Sequence, residues 1–321
     1  MRPIRYQQAL AQALRDEMAA DPTVMVLGED VRQSLRGVTR GLAAEFGVDR
    51  VLDTPLSEQA FTGLATGLAL SGFRPVVEFQ IPSLLYLAFE QIVNQANKFR
   101  LMTGGQASVP VTYLVPGSGA RRGLAGQHSD NPYSLFVHAG VKTVVPATAE
   151  DAYGLFLSAI RDDDPVVLFA PAAALGTRSR DVALRPVPLG SGRIHRDGTD
   201  VTVVAVGHLV HDALAVAEEL SAEASVEVVD PRTLYPLDID LIRSSLARTH
   251  RLVVLDDSNI SCGFAAEVVA TAAEDGDLWA RPRRVARADM VIPFAVGLEE
   301  ALLPTRAQLA SAIRATLSEK E

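Results

Sequence analysis

A glutamate at the start of a predicted helix is the side chain in this sequence best suited to proton chemistry. Residues 50–53 predict a short strand and a proline turn follows. Ser57 then predicts the N-cap of a helix with Glu58 in its first turn. The helix dipole favours the ionised carboxylate, whereas burial favours the neutral acid. Glu58 therefore suits a role in which a proton is shared with a ligand. The alternative interpretation is an ordinary first-turn glutamate beside the dipole.

A glycine-rich loop supplies the second candidate. Residues 116–128 read PGSGARRGLAGQH and follow a predicted strand over 109–115. The loop contains neither GxxxxGK[ST] nor GxGxxG, so it is not a phosphate loop of a familiar kind. Its length and glycine content indicate a backbone that skirts a cavity and delivers Gln127 and His128 at its end. His128 is a candidate for catalysis, or a loop-end histidine bonded to a carbonyl group.

The remaining reactive residue types form no recognisable constellation. No GxSxG elbow is present, and Cys262 before a glycine indicates packing rather than a nucleophile. The histidine pair His208 and His211 has no third ligand nearby and is interpreted as a solvated or capping pair. The other histidines lie in predicted helices or linkers without metal-ligand company, and the whole set is His138, His195, His208, His211 and His250.

The elements that must position these residues alternate between strand and helix. In the first half, strands are predicted over 24–30, 50–53, 74–80, 109–115, 141–145 and 165–169, and helices over 6–20, 40–46, 84–101 and 149–160, besides the Glu58 helix. Continuous apolar strands between helices predict a parallel sheet covered on both faces.

A second alternating set follows a segment rich in Pro, Gly and Arg at 172–197, which is interpreted as a linker. Its predicted strands are 201–206, 225–230, 251–255 and 283–287, and its predicted helices are 208–220, 238–247, 263–273 and 298–317. The predicted fold class is therefore α/β with two doubly wound sheets, in domains spanning 1–185 and 186–321.

Composition narrows the choice of partners. The chain has 321 residues, enough for two domains, and a formal net charge of −9. No block of Lys and Arg invites nucleic acid or an anionic membrane surface. Apolar runs have strand length, so no transmembrane segment is expected, and residues 1–21 lack a signal-peptide core. The single cysteine excludes an intrachain disulfide, and a cytoplasmic location is expected.

Seven stretches in chain order carry a resemblance to one family. They are LGEDV at 27–31, DTPLSEQ at 53–59, RPVVEFQ at 74–80, EQIVNQANK at 90–98, GQHS at 126–129, AIRD at 159–162 with PVV at 165–167, and GFAAE at 263–267. Together they resemble the beta chain of the thiamine-diphosphate-dependent first component of 2-oxoacid dehydrogenase complexes, of the pyruvate, branched-chain or acetoin type. The resemblance covers almost the whole chain. It implies a pyrimidine-binding thiamine-diphosphate domain followed by a transketolase C-terminal-like domain.

The resemblance assigns roles to particular residues. It implies that Glu58 bonds N1′ of the cofactor pyrimidine and favours the imino tautomer, which can take the C2 proton. It implies that His128 faces the reacting carbon. Pyrimidine-pocket positions match Glu29, Leu56 and Gln80, and Leu84 stands where many relatives have an aromatic residue. Main-chain groups around Ala159, Asp162 and Asp164 match a monovalent-cation site that would hold K⁺.

The chain lacks the half of the site that would hold the diphosphate. The superfamily holds the diphosphate and Mg²⁺ with a Gly-Asp-Gly motif and a later Asn, and no such motif occurs here, since EDGD at 274–277 does not match. The resemblance therefore implies an alpha chain that supplies Mg²⁺ and the diphosphate site. The implied assembly is an α2β2 heterotetramer with the cofactor shared between chains.

Departures from the family pattern keep other functions open. The loop after LGEDV is usually glycine-rich in the family, and here it is RQSLR at 32–36. FAPA at 169–172 stands in place of the usual Phe-Glu-Pro-Lys, and DD at 256–257 stands in place of the usual His-Glu. The expected function is decarboxylation of a 2-oxo acid with transfer of the acyl group to a lipoyl carrier. The alternative is a split transketolase-like or acyloin-forming enzyme with another acceptor. A non-catalytic partner chain is a third interpretation, against which the presence of both Glu58 and His128 argues.

Overall fold

A seven-stranded, mostly parallel sheet organises the first half of the protein. The computed structural model describes residues 3–120, 123–180, 182–274 and 277–319, so Arg121 and Arg122 of the glycine-rich loop and Asp275 and Gly276 of the EDGD stretch lie outside the described residues. The strands of this half are β1 (Ile4–Arg5), β2 (Val24–Gly28), β3 (Val51–Asp53), β4 (Arg74–Glu78), β5 (Thr112–Ser118), β6 (Lys142–Val144), β7 (Val166–Pro171) and β8 (Arg178–Ser179).

Helices cover both faces of that sheet. They are α1 (Tyr6–Ala20), α2 (Leu42–Phe46), α3 (Glu58–Leu70), α4 (Leu85–Glu90), α5 (Lys98–Met102), α6 (Ala125–Ser129), α7 (Tyr133–His138) and α8 (Ala149–Arg161). On one face α1 and α8 bury an apolar layer that includes Leu10, Leu14 and Phe156. On the other face α3 packs Phe61 against Phe79, with ring centroids 5.6 Å apart.

A five-stranded sheet organises the second half. Its strands are β9 (Arg193–Arg196), β10 (Val201–Ala205), β11 (Val226–Asp230), β13 (Leu252–Asn259) and β14 (Arg283–Arg287), in the order β14-β13-β10-β11-β9. Its helices are α9 (Leu209–Glu219), α10 (Ile239–Thr249), α11 (Phe264–Glu274), α12 (Val296–Leu302) and α13 (Arg306–Ser318). The two sheets confirm the predicted α/β class.

One strand crosses between the halves. β12 (Thr233–Tyr235) belongs to the second half by sequence but pairs antiparallel with β6, so the order of the first sheet is β12-β6-β7-β5-β4-β2-β3. Buried residues of both halves also share one apolar cluster, in which Val204 and Phe264 join Phe79 and Val115. The two sheets therefore share a core.

Three sequence-based expectations need correction. The helix expected over 84–101 is a 3₁₀ turn (Pro82–Leu84), α4, a π-helical segment (Gln91–Asn97) and α5. The helix expected over 298–317 is divided, because Pro304 disfavours helix before it and Thr305 caps α13 by accepting from the Gln308 amide. The segment interpreted as a linker contains β8, which pairs with β1, and β9, which extends the second sheet.

No helix within the described ranges combines the length and the apolar character that crossing a bilayer requires.

Strand β4 ends in a buried acid. The Glu78 side chain is fully buried, its Oε1 accepts from the Gln80 amide at 3.2 Å, and its Oε2 has no hydrogen-bond partner within the described residues. Burial raises the pKa of Glu78 to about 7, against the opposing effects of the Gln80 hydrogen bond and the Arg36 charge. Because the folded chain holds this proton more tightly than the unfolded chain, Glu78 lowers stability as pH rises from about 4.5 to about 7.

We predict that Glu78→Gln removes this pH dependence. When the pH is raised from 5.5 to 8, the free energy of unfolding of the original chain should fall by about 2 kcal/mol more than that of Glu78→Gln, since one pKa unit corresponds to about 1.4 kcal/mol. Urea unfolding at the two pH values measures it. Glu218→Gln, at an exposed site, is the matched control and should show no gain. Equal pH dependence in Glu78→Gln and the original chain would contradict the prediction.

Candidate active site

The carboxyl ends of the parallel strands β2, β3, β4 and β5 meet at one edge of the first sheet, and the predicted site residues follow them. Glu29 follows β2, Glu58 begins the helix after β3, and Gln80 follows β4. The loop that carries His128 follows β5. Ligands of open α/β sheets bind outside this edge. The structure therefore places these four candidates at the same end of the fold.

Glu58 is a buried carboxylate at a helix N-terminus. It is the first residue of α3, with Ser57 at the N-cap position as predicted, although the Ser57 side chain makes no capping hydrogen bond. The side chain of Glu58 is 6% exposed. Within the described part of the chain its carboxylate accepts no hydrogen bond, and its oxygens are not among the fully buried atoms that lack a partner. Glu58 is available to bond a ligand.

Glu29 and Gln80 frame the space beside Glu58. Partial burial, followed by the charges of Asp30 and Glu58, raises the pKa of the Glu29 carboxyl, which places the two glutamates within electrostatic reach of each other. The Gln80 amide nitrogen donates to the Glu29 carbonyl at 2.8 Å, and its Oε1 is buried without a partner among the described residues. Arg36 Nη2 donates to the Gln80 carbonyl at 2.9 Å. Gln80 is thus held in place with one acceptor free.

A glycine allows β2 to end beside β4. Gly28 has a φ of 152°, and a Cβ there would collide with the Glu78 carbonyl oxygen. Only glycine permits this close approach. The chain can therefore turn immediately after β2 and present Glu29 at the site.

His128 lies on α6, a five-residue helix inside the glycine-rich loop. The loop begins differently from the expectation, because β5 continues through Pro116 and Gly117 to Ser118. The His128 side chain is partly buried. Ser83 Oγ, in the 3₁₀ turn after β4, donates to the Gln127 carbonyl at 2.5 Å. This contact ties the His128 segment to the element that follows Gln80.

A cleft of about 1060 Å³ lies beside these elements. Leu84 lines it together with Ile81, and Gln127 lines it from the His128 segment. Three consecutive apolar residues of the second half also line it: Met290, Val291 and Ile292. The cleft therefore has walls from both halves of the chain. Leu56, by contrast, is 72% exposed at the start of the α3 turn, and its place in a pyrimidine pocket stays a prediction.

The residues of the expected cation site are occupied by protein contacts. The Ala159 carbonyl accepts from the Asp162 amide, and Lys142 Nζ bonds Asp162 at 2.7 and 2.9 Å and Asp164 at 3.0 Å. Arg100 Nη1 bonds Asp164 at 2.8 Å. Positive side chains thus already neutralise both carboxylates, and a monovalent-cation site stays a prediction.

Other histidines differ from their interpretation. His195 lies on β9, and one ligand atom from each of His195, Asp151 and Asp230 falls within 4.8 Å of the others, so the expectation of no metal-ligand company is wrong for His195. Arg232 Nη2 lies 2.6 Å from Asp151 Oδ1 and supplies a positive charge there. This cluster joins α8 of the first half to β9 and β11 of the second.

The interpretation of His208 and His211 as a solvated or capping pair holds in part: His211 is exposed, and His208 stands at the N-cap position of α9 although its side chain makes no capping hydrogen bond. Burial lowers the pKa of His208 to about 4, so His208 is neutral near pH 7. His211 Nε2 lies 3.2 Å from the Ala147 carbonyl. Cys262 is exposed with a φ of 55°, so its interpretation as a packing residue is wrong.

Sequence reasoning gave no role to several charged residues around the site. Glu78 and its neighbour Arg36 were detectable in part, because a glutamate inside the apolar run RPVVEF predicts a buried acid. Asp256 and Asp257 end the apolar run of β13, and they contact the segment after His128: Tyr133 donates to Asp256, and Asn131 Nδ2 donates to Asp257 Oδ2 at 2.9 Å.

Comparison with known proteins gives two matches to family models. The model of the transketolase pyrimidine binding domain matches residues 2–177, and the model of the transketolase C-terminal domain matches residues 190–309. A solved structure described as a split gene transketolase, an inactive beta4 tetramer, superposes with a TM-score of 0.81 at 23% identity over 99% of each chain, which shows the shared fold. The predicted boundary at 185/186 stays a prediction.

Curated relatives cover nearly the whole chain. The beta subunit of acetoin:2,6-dichlorophenolindophenol oxidoreductase from Bacillus subtilis is 39% identical over 99% of this chain and 98% of its own length. The pyruvate dehydrogenase E1 beta subunit of Rickettsia felis is 39% identical over 97% of each. The 3-methyl-2-oxobutanoate dehydrogenase beta subunit of Mycobacterium tuberculosis is 45% identical over 84% of this chain and 78% of its own length. The resemblance inferred from the seven stretches is thereby confirmed, and the chain belongs to the transketolase-like family of 2-oxoacid dehydrogenase E1 beta subunits.

Proposed function

We propose that this chain is the beta subunit of a thiamine-diphosphate-dependent 2-oxo acid dehydrogenase, in which Glu58 activates the cofactor and the acyl group passes to a lipoyl carrier. One observation carries the proposal: Glu58 is a buried carboxylate without a hydrogen-bond donor among the described residues, at the sheet edge where ligands bind. Family membership supports the reaction class. When bound, thiamine diphosphate supplies a nucleophilic carbon and an electron sink for decarboxylation.

The residues at the sheet edge fit the pyrimidine of that cofactor. Glu58 offers an acceptor for a protonated ring nitrogen, and Gln80 offers a buried free Oε1 for an amino or imino group. Glu29, Leu56 and Leu84 complete the proposed pocket. Glu58 is the first residue of α3, and Glu29 lies within electrostatic reach of it. Glu58 then holds a proton at N1′ and releases it as the catalytic step requires.

His128 is proposed to handle protons or orient the substrate next to the reacting carbon. Its segment borders the same cleft as Leu84, through Gly126 and Gln127. Apolar side chains from both halves line that cleft, and two of them, Met290 and Val291, are 61% and 83% exposed.

An alpha chain is the proposed partner in an α2β2 assembly. The support is the lack of a Gly-Asp-Gly motif in this sequence and the word beta in the names of the relatives. The proposed alpha chain holds Mg²⁺ and the diphosphate. The departure at 256–257 favours a second candidate, an acyloin-forming or transketolase-like transfer to another acceptor, because Asp257 reaches the segment that follows His128.

For Glu58, the expected result concerns activation of the cofactor. In the enzyme assembled with its alpha chain, Glu58→Gln keeps the size of the side chain but cannot exchange a proton with N1′. Hydrogen–deuterium exchange at the cofactor C2, read by NMR after acid quench, should slow roughly 10²-fold or more. Glu267→Gln, an exposed first-turn glutamate of α11, is the matched control and should leave exchange unchanged. Wild-type exchange in Glu58→Gln at full cofactor occupancy would refute the role.

For His128, we expect a loss of turnover without a loss of cofactor binding. His128→Ala should lower kcat about 10²- to 10⁴-fold, the usual contribution of a general acid–base group. Steady-state kinetics of the assembled enzyme and calorimetric titration of thiamine diphosphate measure the two quantities. His138→Ala, at an exposed site on α7, should retain wild-type kcat. An unchanged kcat in His128→Ala would make His128 structural.

The proposed alpha chain is tested by measuring whether the isolated beta chain binds thiamine diphosphate. The purified chain should bind thiamine diphosphate weakly or not at all in the presence of Mg²⁺, because the diphosphate has no cradle in this sequence. Isothermal titration calorimetry on the chain alone, and after mixing with the alpha chain, should give binding only in the mixture. Tight Mg²⁺-dependent binding to the chain alone would exclude the shared site.

A further inference from the structure

The helix that carries His128 is too short to set its own orientation. α6 spans five residues, and isolated helices of this length do not persist in water. The direction of the His128 side chain must therefore come from contacts that its segment makes with the rest of the protein. Ser83 provides one such contact before His128, through the Gln127 carbonyl.

Asp130 provides the contacts after His128. It is the residue that follows α6, and its main-chain carbonyl accepts from the Gly119 amide at 3.0 Å, which closes the loop over 119–130. Its carboxylate joins two distant elements. The Tyr86 hydroxyl of α4 donates to Oδ2, and Arg287 Nη2, at the end of β14, donates to Oδ1 at 3.1 Å. Asp130 therefore connects the segment to both halves of the chain.

The Arg287 contact is a strong constraint because the cation is buried. The Arg287 side chain is 5% exposed, and its Nε has no hydrogen-bond partner among the described residues. Within those ranges Asp130 is the group that bonds its guanidinium. Asp257 and Asp289 also lie within electrostatic reach of Arg287. Because a buried cation that loses a hydrogen-bonded counter-charge carries a desolvation penalty, the Arg287–Asp130 pair resists separation. The carboxylate held by this contact belongs to Asp130, two residues after His128.

The Tyr86 hydroxyl stays a hydrogen-bond donor to Asp130 over the whole physiological pH range. Burial and the neighbouring Asp130 raise the pKa of the Tyr86 phenol, so the hydroxyl keeps its proton. Hydrogen bonds from a neutral donor to a carboxylate are among the stronger ones in proteins. Tyr86 also lines the cleft that Gln127 lines, which puts the contact at the wall of the proposed site.

We propose that Tyr86, Asp130 and Arg287 form a clamp that positions His128 for catalysis and makes its placement depend on the second half of the chain. The three are positioning residues, and the inference rests on the proposed role of His128. The clamp fixes the end of α6 against α4 on one side and β14 on the other. A displacement of β14 would thus reach the segment of His128 through the Asp130 carboxylate, beside the contacts that Asn131 and Tyr133 make with Asp257 and Asp256.

Two substitutions test the clamp in the enzyme assembled with its alpha chain. Tyr86→Phe removes only the hydroxyl of a half-exposed side chain, and Asp130→Asn removes the negative charge of the group that bonds Arg287. Each should lower kcat about 10- to 100-fold, the range that loss of a charge-assisted hydrogen bond permits. KM and the Kd for thiamine diphosphate should stay within about twofold, because within the described ranges no clamp residue forms a hydrogen bond or ion pair with Glu29, Glu58 or Gln80. Tyr235→Phe, of similar exposure, is the control and should keep wild-type kcat.

Amide hydrogen exchange supplies a readout that is independent of turnover. In both variants the peptide covering 123–131 should exchange faster than in the original enzyme, while the peptides of α3 should not change. Unchanged protection over 123–131 together with unchanged kcat would overturn the clamp.

A combined variant separates failure of the clamp from failure of the function. If the clamp acts through His128, then Tyr86→Phe should lower kcat no further in a His128→Ala background. A loss in His128→Ala without a loss in Tyr86→Phe or Asp130→Asn would overturn the clamp and leave the proposed function standing. An additive loss, or a loss in the clamp variants with wild-type kcat in His128→Ala, would show that these residues act elsewhere and would also overturn the clamp.

Discussion

Parallel pairing of β2, β3, β4 and β5 is the constraint on which the rest of the structure depends. In a parallel sheet all carboxyl ends lie at one edge, so residues separated by up to a hundred positions in sequence are collected there without any contact between them being required. The edge receives Glu29, Glu58 and Gln80 from three successive strand ends. Each side chain then needs only a local turn to reach the common space, as at Gly28.

That collection has an electrostatic consequence. Glu29, Glu58 and Glu78 bring three carboxyl groups to neighbouring positions, and two of them have a raised pKa, chiefly because of burial. Arg36 is the cation whose charge opposes the shift at Glu78, and it also bonds the Gln80 carbonyl. A site of this kind favours a ligand that supplies hydrogen-bond donors and partial positive charge, as the amino-pyrimidine of the proposed cofactor does.

The sequence predicted regular elements better than contacts. Buried parallel strands are continuous apolar runs, so β2, β4, β7 and β10 were predictable within a few residues, and the Glu58 helix began where Ser57 predicted. Elements stabilised by tertiary contact were missed. α6 has no apolar periodicity, and β12 is a three-residue strand whose partner lies about ninety residues away.

The sequence also did not predict which charged residues pair with one another. His195 reaches Asp151 and Asp230 only because β9 pairs with β11, which no local pattern indicates. Asp130 and Arg287 are 157 residues apart in sequence, and neither belongs to a motif. The candidate site could thus be located from Glu58 and His128, whereas the groups that hold those residues could be identified only in three dimensions.

Strand β12 has a consequence for how this chain can be divided. It covers the edge of the first sheet at β6, and the Val145 amide bonds the Arg232 carbonyl at 2.9 Å just beside it. A fragment that stopped between the two matched family segments would leave β6 with a row of unpaired amide and carbonyl groups, and such bare edges recruit strands from other molecules. The first half therefore depends on β12 of the second half to protect it from aggregation. The two halves should be expressed, or fused to another protein, as one unit.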